Sequence, residues 1–183
     1  PKEGWSKVNL IKPFIDALNI PVEIDTDVNG AALGEATYGA AKGLSSCLYL
    51  TIGTGIGGGA IVEGKLVHGL LHPEMGHIKL IPHPNETYKG CCPFHDYCFE
   101  GLASGPAIEK RFNTKADDLP KDHIAWEMEG YYIGQALAIY ILTLSPKKII
   151  LGGGVMHQEQ IFPYIYQTVK DTLNGYVQKK EIL

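Results

Sequence analysis

The sequence has no long apolar run and no basic stripe, and these absences exclude two broad classes of protein. No apolar run among the 183 residues approaches the roughly 20 residues that a membrane-spanning helix needs. Lysine and arginine occur singly or in pairs and the net charge is -4, so a nucleic-acid backbone meets no matching surface. We therefore expect neither a membrane protein nor a nucleic-acid-binding protein.

The N-terminal residues also lack the marks of an exported protein. Pro1-Lys2-Glu3-Gly4-Trp5 contains neither an initiating methionine nor an apolar signal region. We interpret the chain as an internal part of a longer cytoplasmic polypeptide. Its content of 45% apolar and 20% charged residues is typical of a folded globular protein.

Cysteine is scarce but clustered. Of the four cysteines, Cys91, Cys92 and Cys98 fall within eight residues, and the adjacent pair cannot easily form a disulfide with itself. In a chain without an export signal, this clustering favours metal binding over disulfides.

Apolar periodicity and glycine positions predict alternating strands and helices. Strands are predicted over residues 22–26, 46–52, 58–62, 65–68 and 148–151, and helices over residues 29–42, 101–112, 124–144 and 158–173. Glu63-Gly64 predicts a hairpin turn. Residues 72–98 are rich in proline, glycine, histidine and cysteine and are expected to be irregular. The alternation predicts an α/β fold with helices covering a sheet.

The spacing Cys92-x-x-His95-x-x-Cys98 is suited to wrapping one metal ion, and a histidine upstream would complete a tetrahedral zinc site. Four protein ligands leave no open position, so such a site would be structural. Spacing alone leaves His72, His77 and His83 as candidates for the upstream ligand, and Cys91 as a rival to Cys92. The alternative interpretation is that these are reduced cysteines and ordinary surface histidines.

Two glycine-rich turns follow predicted strands. Residues 51–59, TIGTGIGGG, let backbone N–H groups approach a phosphate closely, although no Gly-Lys-Ser/Thr of a Walker loop follows. Residues 152–154 are three glycines between a strand and a helix, a position where a nucleotide can meet helix-end amides. The alternative for the first run is a flexible hairpin turn.

Carboxylates supply the remaining candidates. Asp27 follows a predicted strand, and phosphoryl transfer needs a carboxylate that accepts the proton of the attacking hydroxyl. The alternative is that an aspartate caps the next helix. Glu74 and Glu100 lie on or beside the proposed metal loop and could accept hydrogen bonds from sugar hydroxyls, whereas isolated glutamates are more often solvated surface charges.

Taken together, these segments resemble the ROK family of sugar kinases and regulators, and within it the zinc-containing bacterial fructokinases. The matching stretches are TDVNGAALGE at residues 26–35, LTIGTGIG at 50–57, HPEMGH at 72–77, CPFHDYCFEGLASGP at 92–106 and IILGGGV at 149–155.

The resemblance implies an actin-like ATPase (ribonuclease H-like) fold. Residues 1–25 would be the tail of the N-terminal lobe or the interlobe segment, and residues 26–183 would be the C-terminal lobe with its zinc-bound loop 77–98. ATP with Mg²⁺ and a hexose, fructose in the first instance, would bind between the two lobes of each subunit. The family also suggests a homodimer.

The resemblance also assigns roles residue by residue. Asp27 would be the general base. The family alignment favours His77 over His72 and His83, and Cys92 over Cys91. The implied sets are Thr54, Gly55, Gly57, Gly152, Gly153 and Gly154 for ATP; Glu74, His77 and Glu100 for the sugar; and His77, Cys92, His95 and Cys98 for a structural Zn²⁺.

The chain departs from the family pattern in three ways. Thr26 stands where glucokinase-like members carry asparagine, and His95 stands among cysteines, and both differences favour fructose over glucose. The family's N-terminal Asp-x-Gly-Gly-Thr loop and its C-terminal closing segment have no counterpart here. The alternatives are a kinase for glucose or mannose, a sugar-sensing regulator without catalysis, and a zinc-stabilised interaction domain.

Overall fold

The protein consists of a small mixed sheet with helices on both faces. The computed structural model describes Gly4 and residues 8–177. The strands of this part are β1 (Cys47–Ile52), β2 (Ile56–Val62), β3 (Lys65–Leu66) and β4 (Ile149–Gly152). Its helices are α1 (Ile11–Leu18), α2 (Asp27–Thr37), α3 (Phe99–Ala103), α4 (Gly105–Phe112), α5 (Ile124–Leu144) and α6 (Phe162–Leu173).

The strand order of the sheet is β3-β2-β1-β4. β2 pairs antiparallel with β1 and with β3, whereas β4 pairs parallel with β1. The predicted turn at Glu63-Gly64 is confirmed, with φ values of 52° and 77° at the two residues, as a two-residue hairpin of matching twist requires. The parallel partner is reached only through the long segment that contains α3, α4 and α5.

Alternation along β1 separates two apolar clusters. Leu48, Leu50 and Ile52 point into the main core, which includes residues of α3, α5 and α6. Cys47 and Tyr49 point to the opposite face, where Ala32 of α2 packs. Because successive side chains of a strand face opposite ways, one central strand supports both helical layers.

α5 is the longest helix, with 21 residues, and most of its circumference is buried. Gly130 and Gly134 face α6, where β-carbons would overlap or crowd Tyr164 and Thr168. These glycines let the two helices pack closely. Within the described residues, no helix is both long and apolar enough to cross a membrane.

Several predicted boundaries were wrong. Residues 22–26 form no strand, because they lie at neither edge of the described sheet, and Ile24 is 61% exposed. The predicted helix over residues 29–42 begins at Asp27 and ends at Thr37, and the helix predicted over 158–173 begins at Phe162. The helix predicted over 101–112 is two helices, because Ser104 is extended and the N–H of Gly105 bonds to Gly53 O at 2.8 Å.

Candidate active site and metal centre

Four side chains of the irregular loop meet in one cluster. The ligand atoms of His77, Cys92, His95 and Cys98 all lie within 4.8 Å of one another. His77 Nδ1 is 3.9 Å from Cys92 Sγ and 3.8 Å from Cys98 Sγ, and His95 Nδ1 is 3.6 Å from Cys92 Sγ. A tetrahedral zinc ion with ordinary Zn–S and Zn–N bonds separates such ligand atoms by about 3.5 Å. The donor set and its spacing therefore fit one zinc ion.

The backbone brings the two ends of the loop together. Leu80 N–H bonds to Tyr97 O and Phe99 N–H bonds to Ile78 O, both at 2.9 Å, so the segment after His77 runs beside the segment that ends at Cys98. Cys98 is buried at the N-cap of α3, and its sulfur accepts Gly101 N–H at 3.3 Å. This strand-like bridge, made between residues about 20 apart, places the upstream histidine next to the last cysteine.

The rival ligands lie elsewhere. His72 Nε2 pairs with Glu74 at 2.8 Å, and His83 is buried with its Nε2 3.5 Å from Glu127. Cys91 Sγ lies 3.7 Å from the Ser104 hydroxyl. The structure thus brings together the four residues named from the family alignment.

Burial raises the pKa of the Cys98 thiol to about 11, and the adjacent Cys92 contributes in the same direction. A thiolate at this position would need a nearby cation to offset its desolvation. A metal ion bound by the cluster would supply that charge.

Two glycine-rich turns meet at the end of β1, next to the start of α4. Gly53 and Gly55 form the β1–β2 turn, and Gly53 O accepts the N–H of Gly105 at the start of α4. Gly153 has a φ of 94° and lies so close to the backbone of Ile52 that a β-carbon would overlap it. Thr54 is exposed at the tip of the turn. The glycines at 53–55 and 152–154, taken from distant parts of the sequence, therefore form one surface of backbone groups.

Glu100 connects this surface to the metal cluster. Its Oε2 accepts Ile56 N–H at 2.9 Å, just after the β1–β2 turn, and a β-carbon at Gly55 would lie 2.9 Å from the same oxygen. Glu100 also stands two residues after Cys98, in the first turn of α3. One carboxylate oxygen thus supports the turn, and among the described residues the other accepts no hydrogen bond.

The glycines of β2 serve packing as well. β-Carbons at Gly57 and Gly59 would crowd or overlap Val28, at the start of α2, and one at Gly58 would crowd Met75. Gly76 lies against the carbonyl of Ile56, where a β-carbon would also overlap. The start of α2 and the 3₁₀ turn Met75–His77 therefore both approach β2 closely.

Asp27 lies at the first position of α2 and is exposed. The N-cap is Thr26, whose hydroxyl oxygen accepts Asn29 N–H at 3.2 Å. Asp27 Oδ1 accepts Val28 N–H at 2.9 Å, and its other oxygen is available to a ligand. The capping role that the sequence left open for an aspartate is thus filled by Thr26.

Glu74 is also exposed and lies just before the 3₁₀ turn, where His77 N–H bonds to its carbonyl at 3.0 Å. Its side chain pairs with His72 at 2.8 Å. The structure thus places Glu74 and His77 on one short turn.

The sequence did not predict a buried ionic cluster formed by Arg111, Glu86 and Glu129. Arg111 Nε lies 2.9 Å from Glu86, and Arg111 Nη1 lies 3.6 Å from the fully buried Glu129, with all three side chains at most 5% exposed. Tyr132 donates to Glu86 at 2.7 Å. The cluster ties the metal loop to α4 and α5. Its only sequence signal is an acidic residue, Glu129, within the apolar run of α5.

Similarity to known proteins extends over nearly the whole chain. The sequence profile of the ROK family matches residues 1–183. A Bacillus subtilis relative is 60% identical over 182 residues, covering 100% of this chain and 61% of the relative. A fructokinase of Zymomonas mobilis is 42% identical over 179 residues, covering 96% of this chain and 60% of the relative. The chain spans about three-fifths of the length of these curated relatives.

Solved structures agree. A ROK hexokinase from Thermus thermophilus has a TM-score of 0.76 at 30% identity, over 90% of this chain and 62% of that one. A ROK glucokinase from Streptomyces griseus, in complex with glucose and AMPPNP, has a TM-score of 0.67 at 25% identity, over the same shares. The predicted actin-like ATPase fold class is confirmed. A Bacillus subtilis xylose repressor is also similar, at 27% identity over 97% of this chain and 48% of the repressor.

Glu129 generates a prediction about pH. Burial raises the pKa of Glu129 to about 8, Glu86 adds to the rise and Arg111 opposes it. The folded protein holds this proton more tightly than the unfolded chain, whose group titrates near 4.5. Stability from this group is therefore full below pH 4.5 and is lost as the pH rises through about 8, by up to about 1.4 kcal/mol per pH unit.

We expect Glu129→Gln, which mimics the neutral acid, to flatten the pH dependence of the unfolding free energy over that range. Denaturant unfolding at a series of pH values measures it, with the exposed Glu109→Gln as the control. Parallel profiles for wild type and Glu129→Gln would contradict the assignment.

Proposed function

The chain belongs to the ROK family, and from that premise we propose that it forms the larger part of an ATP-dependent hexose kinase that converts fructose to fructose 6-phosphate. The observation that carries the proposal is the junction at Glu100. This carboxylate joins the backbone surface of the two glycine-rich turns to the loop that bears His77 and Glu74. A phosphate donor and a polyol acceptor can therefore bind side by side.

The nucleotide would bind on the glycine surface. Backbone N–H groups there can approach phosphate oxygens because no β-carbons intervene. Mg²⁺ bound with ATP would neutralise the charge of the transferred phosphoryl group. The residues proposed for ATP are Thr54, Gly55, Gly57, Gly152, Gly153 and Gly154. For Gly57, the close approach of Val28 is a second reason for the glycine.

Asp27 would act as the general base. Its exposed carboxylate stands at the start of a helix and is not consumed by capping, so it can accept the proton of the 6-hydroxyl of the sugar. Glu74, His77 and the free oxygen of Glu100 would accept or donate hydrogen bonds to the other hydroxyls. Positioning of the acceptor and charge neutralisation would supply most of the rate enhancement.

Zinc would be held by His77, Cys92, His95 and Cys98 and would have a structural role. Four protein ligands complete a tetrahedron, so the ion would supply fixed geometry and no open position for substrate. His77 would use Nδ1 for the metal, which leaves Nε2 for the sugar. As expectations from the family, the full-length protein would be a cytoplasmic homodimer.

The substrate is tested by ADP release from the full-length protein with fructose, glucose, mannose and N-acetylglucosamine. We expect the highest kcat/KM with fructose, because fructokinases are among the relatives at 42–43% identity. Activity confined to the amino sugar would defeat the fructose assignment. Sugar binding without ADP release would favour a regulator, a possibility that the similarity to the xylose repressor raises.

The role of Asp27 is tested by Asp27→Asn. The variant should fold and keep its metal, because Thr26 caps α2, while kcat falls by about 10²- to 10⁴-fold for want of a base. The exposed Asp122→Asn serves as the matched control and should retain wild-type turnover. Near-normal kcat in Asp27→Asn would remove this residue from the mechanism.

A further inference from the structure

Two residues before Asp27, the carboxylate of Asp25 accepts three hydrogen bonds. Asp25 Oδ1 lies 2.7 Å from Thr26 N and 2.8 Å from Asn29 Nδ2, and Asp25 Oδ2 lies 2.8 Å from His68 Nε2. The side-chain bond from Asn29, then the backbone bond from Thr26, hold the pKa of Asp25 below its usual value. Asp25 is thus an ionised acceptor at neutral pH.

The donor roles follow from the chemistry of the groups. An ionised carboxylate can only accept, so the Nε2 atom of His68 must carry its proton toward Asp25. Asn29 Nδ2 is 3.3 Å from the same nitrogen, but two donors cannot bond to each other. The Asn29 amide therefore donates to Asp25, and Asn29, only 1% exposed, anchors that carboxylate to the buried side of α2.

These contacts flank the proposed base, Asp27, on both sides in the sequence. Asp25 and Asn29 fix the residues on either side of Asp27, and Thr26 closes the same turn through its bond from Asn29 N–H. His68 is the contact from outside the turn, at a sequence distance of 43 residues. A shallow cleft lined by residues 24–26 and 68–72 opens at this point.

The segment that carries His68 also leads to the sugar site. It follows β3, reaches His72, and continues to Glu74, with which His72 is paired. Leu70 and Leu71 between the two histidines are 100% and 74% exposed, so apolar packing does not hold residues 69–71 down, whereas Val67 packs against the main core. Among the described contacts, the bond to Asp25 is the polar side-chain link between residues 67–71 and the turn of the base.

We propose that His68 is a positioning residue of the sugar site, which holds residues 68–72 against the Asp25–Asn29 turn and so fixes the distance between Asp27 and Glu74. The proposal rests on the proposed function, because it assigns His68 a role in sugar phosphorylation. His68 itself touches no reacting atom. Replacing His68 should therefore change kcat/KM for the sugar and leave the KM for ATP unchanged.

The test uses the full-length protein with His68→Ala and His68→Gln. We expect His68→Ala to lower kcat/KM for fructose by about tenfold, the value of one charge-assisted hydrogen bond, with the KM for ATP unchanged. His68→Gln keeps a donor within reach of Asp25 and should recover most of the loss. Amide hydrogen exchange over residues 68–72 should accelerate in His68→Ala and stay near wild type in His68→Gln.

Two further variants make the result specific. Asp25→Asn should lower kcat/KM for fructose, and adding His68→Ala to it should cost little more, because both changes break one contact. Asp16→Asn breaks the exposed Lys12–Asp16 pair at 2.9 Å and should change neither the kinetics nor the exchange.

Unchanged fructose kinetics and unchanged exchange in His68→Ala would overturn the proposal, as would an equal rise in the KM for both substrates or a glutamine variant that behaves like alanine. A wild-type protein that releases no ADP with any hexose would instead refute the proposed function, and the positioning role of His68 with it. The wild-type assay, read first, separates the two failures.

Discussion

The meeting of the two ends of the metal loop at Cys98 is the contact on which the site depends. Cys98 caps α3, pairs through its backbone with Lys79, and brings its sulfur to within 3.8 Å of His77. This closure places Glu74 and Glu100, 26 positions apart in the sequence, at the two ends of one closed loop. A metal ion bound by the four side chains would add strong bonds to this backbone bridge and hold the two ends of the loop at a fixed distance.

Close backbone approach is the second constraint. Gly59 and Gly76 each lie where a β-carbon would overlap a backbone atom of a neighbouring segment, and Gly153 does the same against Ile52. Glycine is needed at these positions because the segments that carry Asp27, His77 and the second glycine turn must lie directly on the sheet. Gly59 and Gly153, which belong to the two glycine runs that suggest a phosphate site, therefore also have a packing role.

Local signals in the sequence predicted what local physics controls. α5 was predicted at both ends, since its apolar run is bounded by the cap at His123 and by Ser145 in the left-handed conformation. The Glu63-Gly64 turn and the metal quartet also have short-range or family signatures.

Long-range contacts explain what was missed. The break at Ser104 follows a bond from Gly105 to Gly53, and the support of the turn by Glu100 spans 44 residues. Residues 22–26 had the composition of a strand, but a strand also needs a partner, and composition does not reveal one. Nothing in the sequence indicated a role for His68 or Arg111, because the residues that each contacts are far away in the sequence.

The measurement that tests the role of the metal loop most directly is calorimetric binding of fructose and of ATP to the full-length protein before and after zinc removal. The expected result is one zinc ion per chain, a large loss of fructose affinity on its removal, and a smaller loss of ATP affinity. The smaller loss is expected because Glu100 also supports the turn at Ile56. A loss of ATP affinity that exceeds the loss for fructose, or no loss of either, would contradict a loop that organises the sugar site.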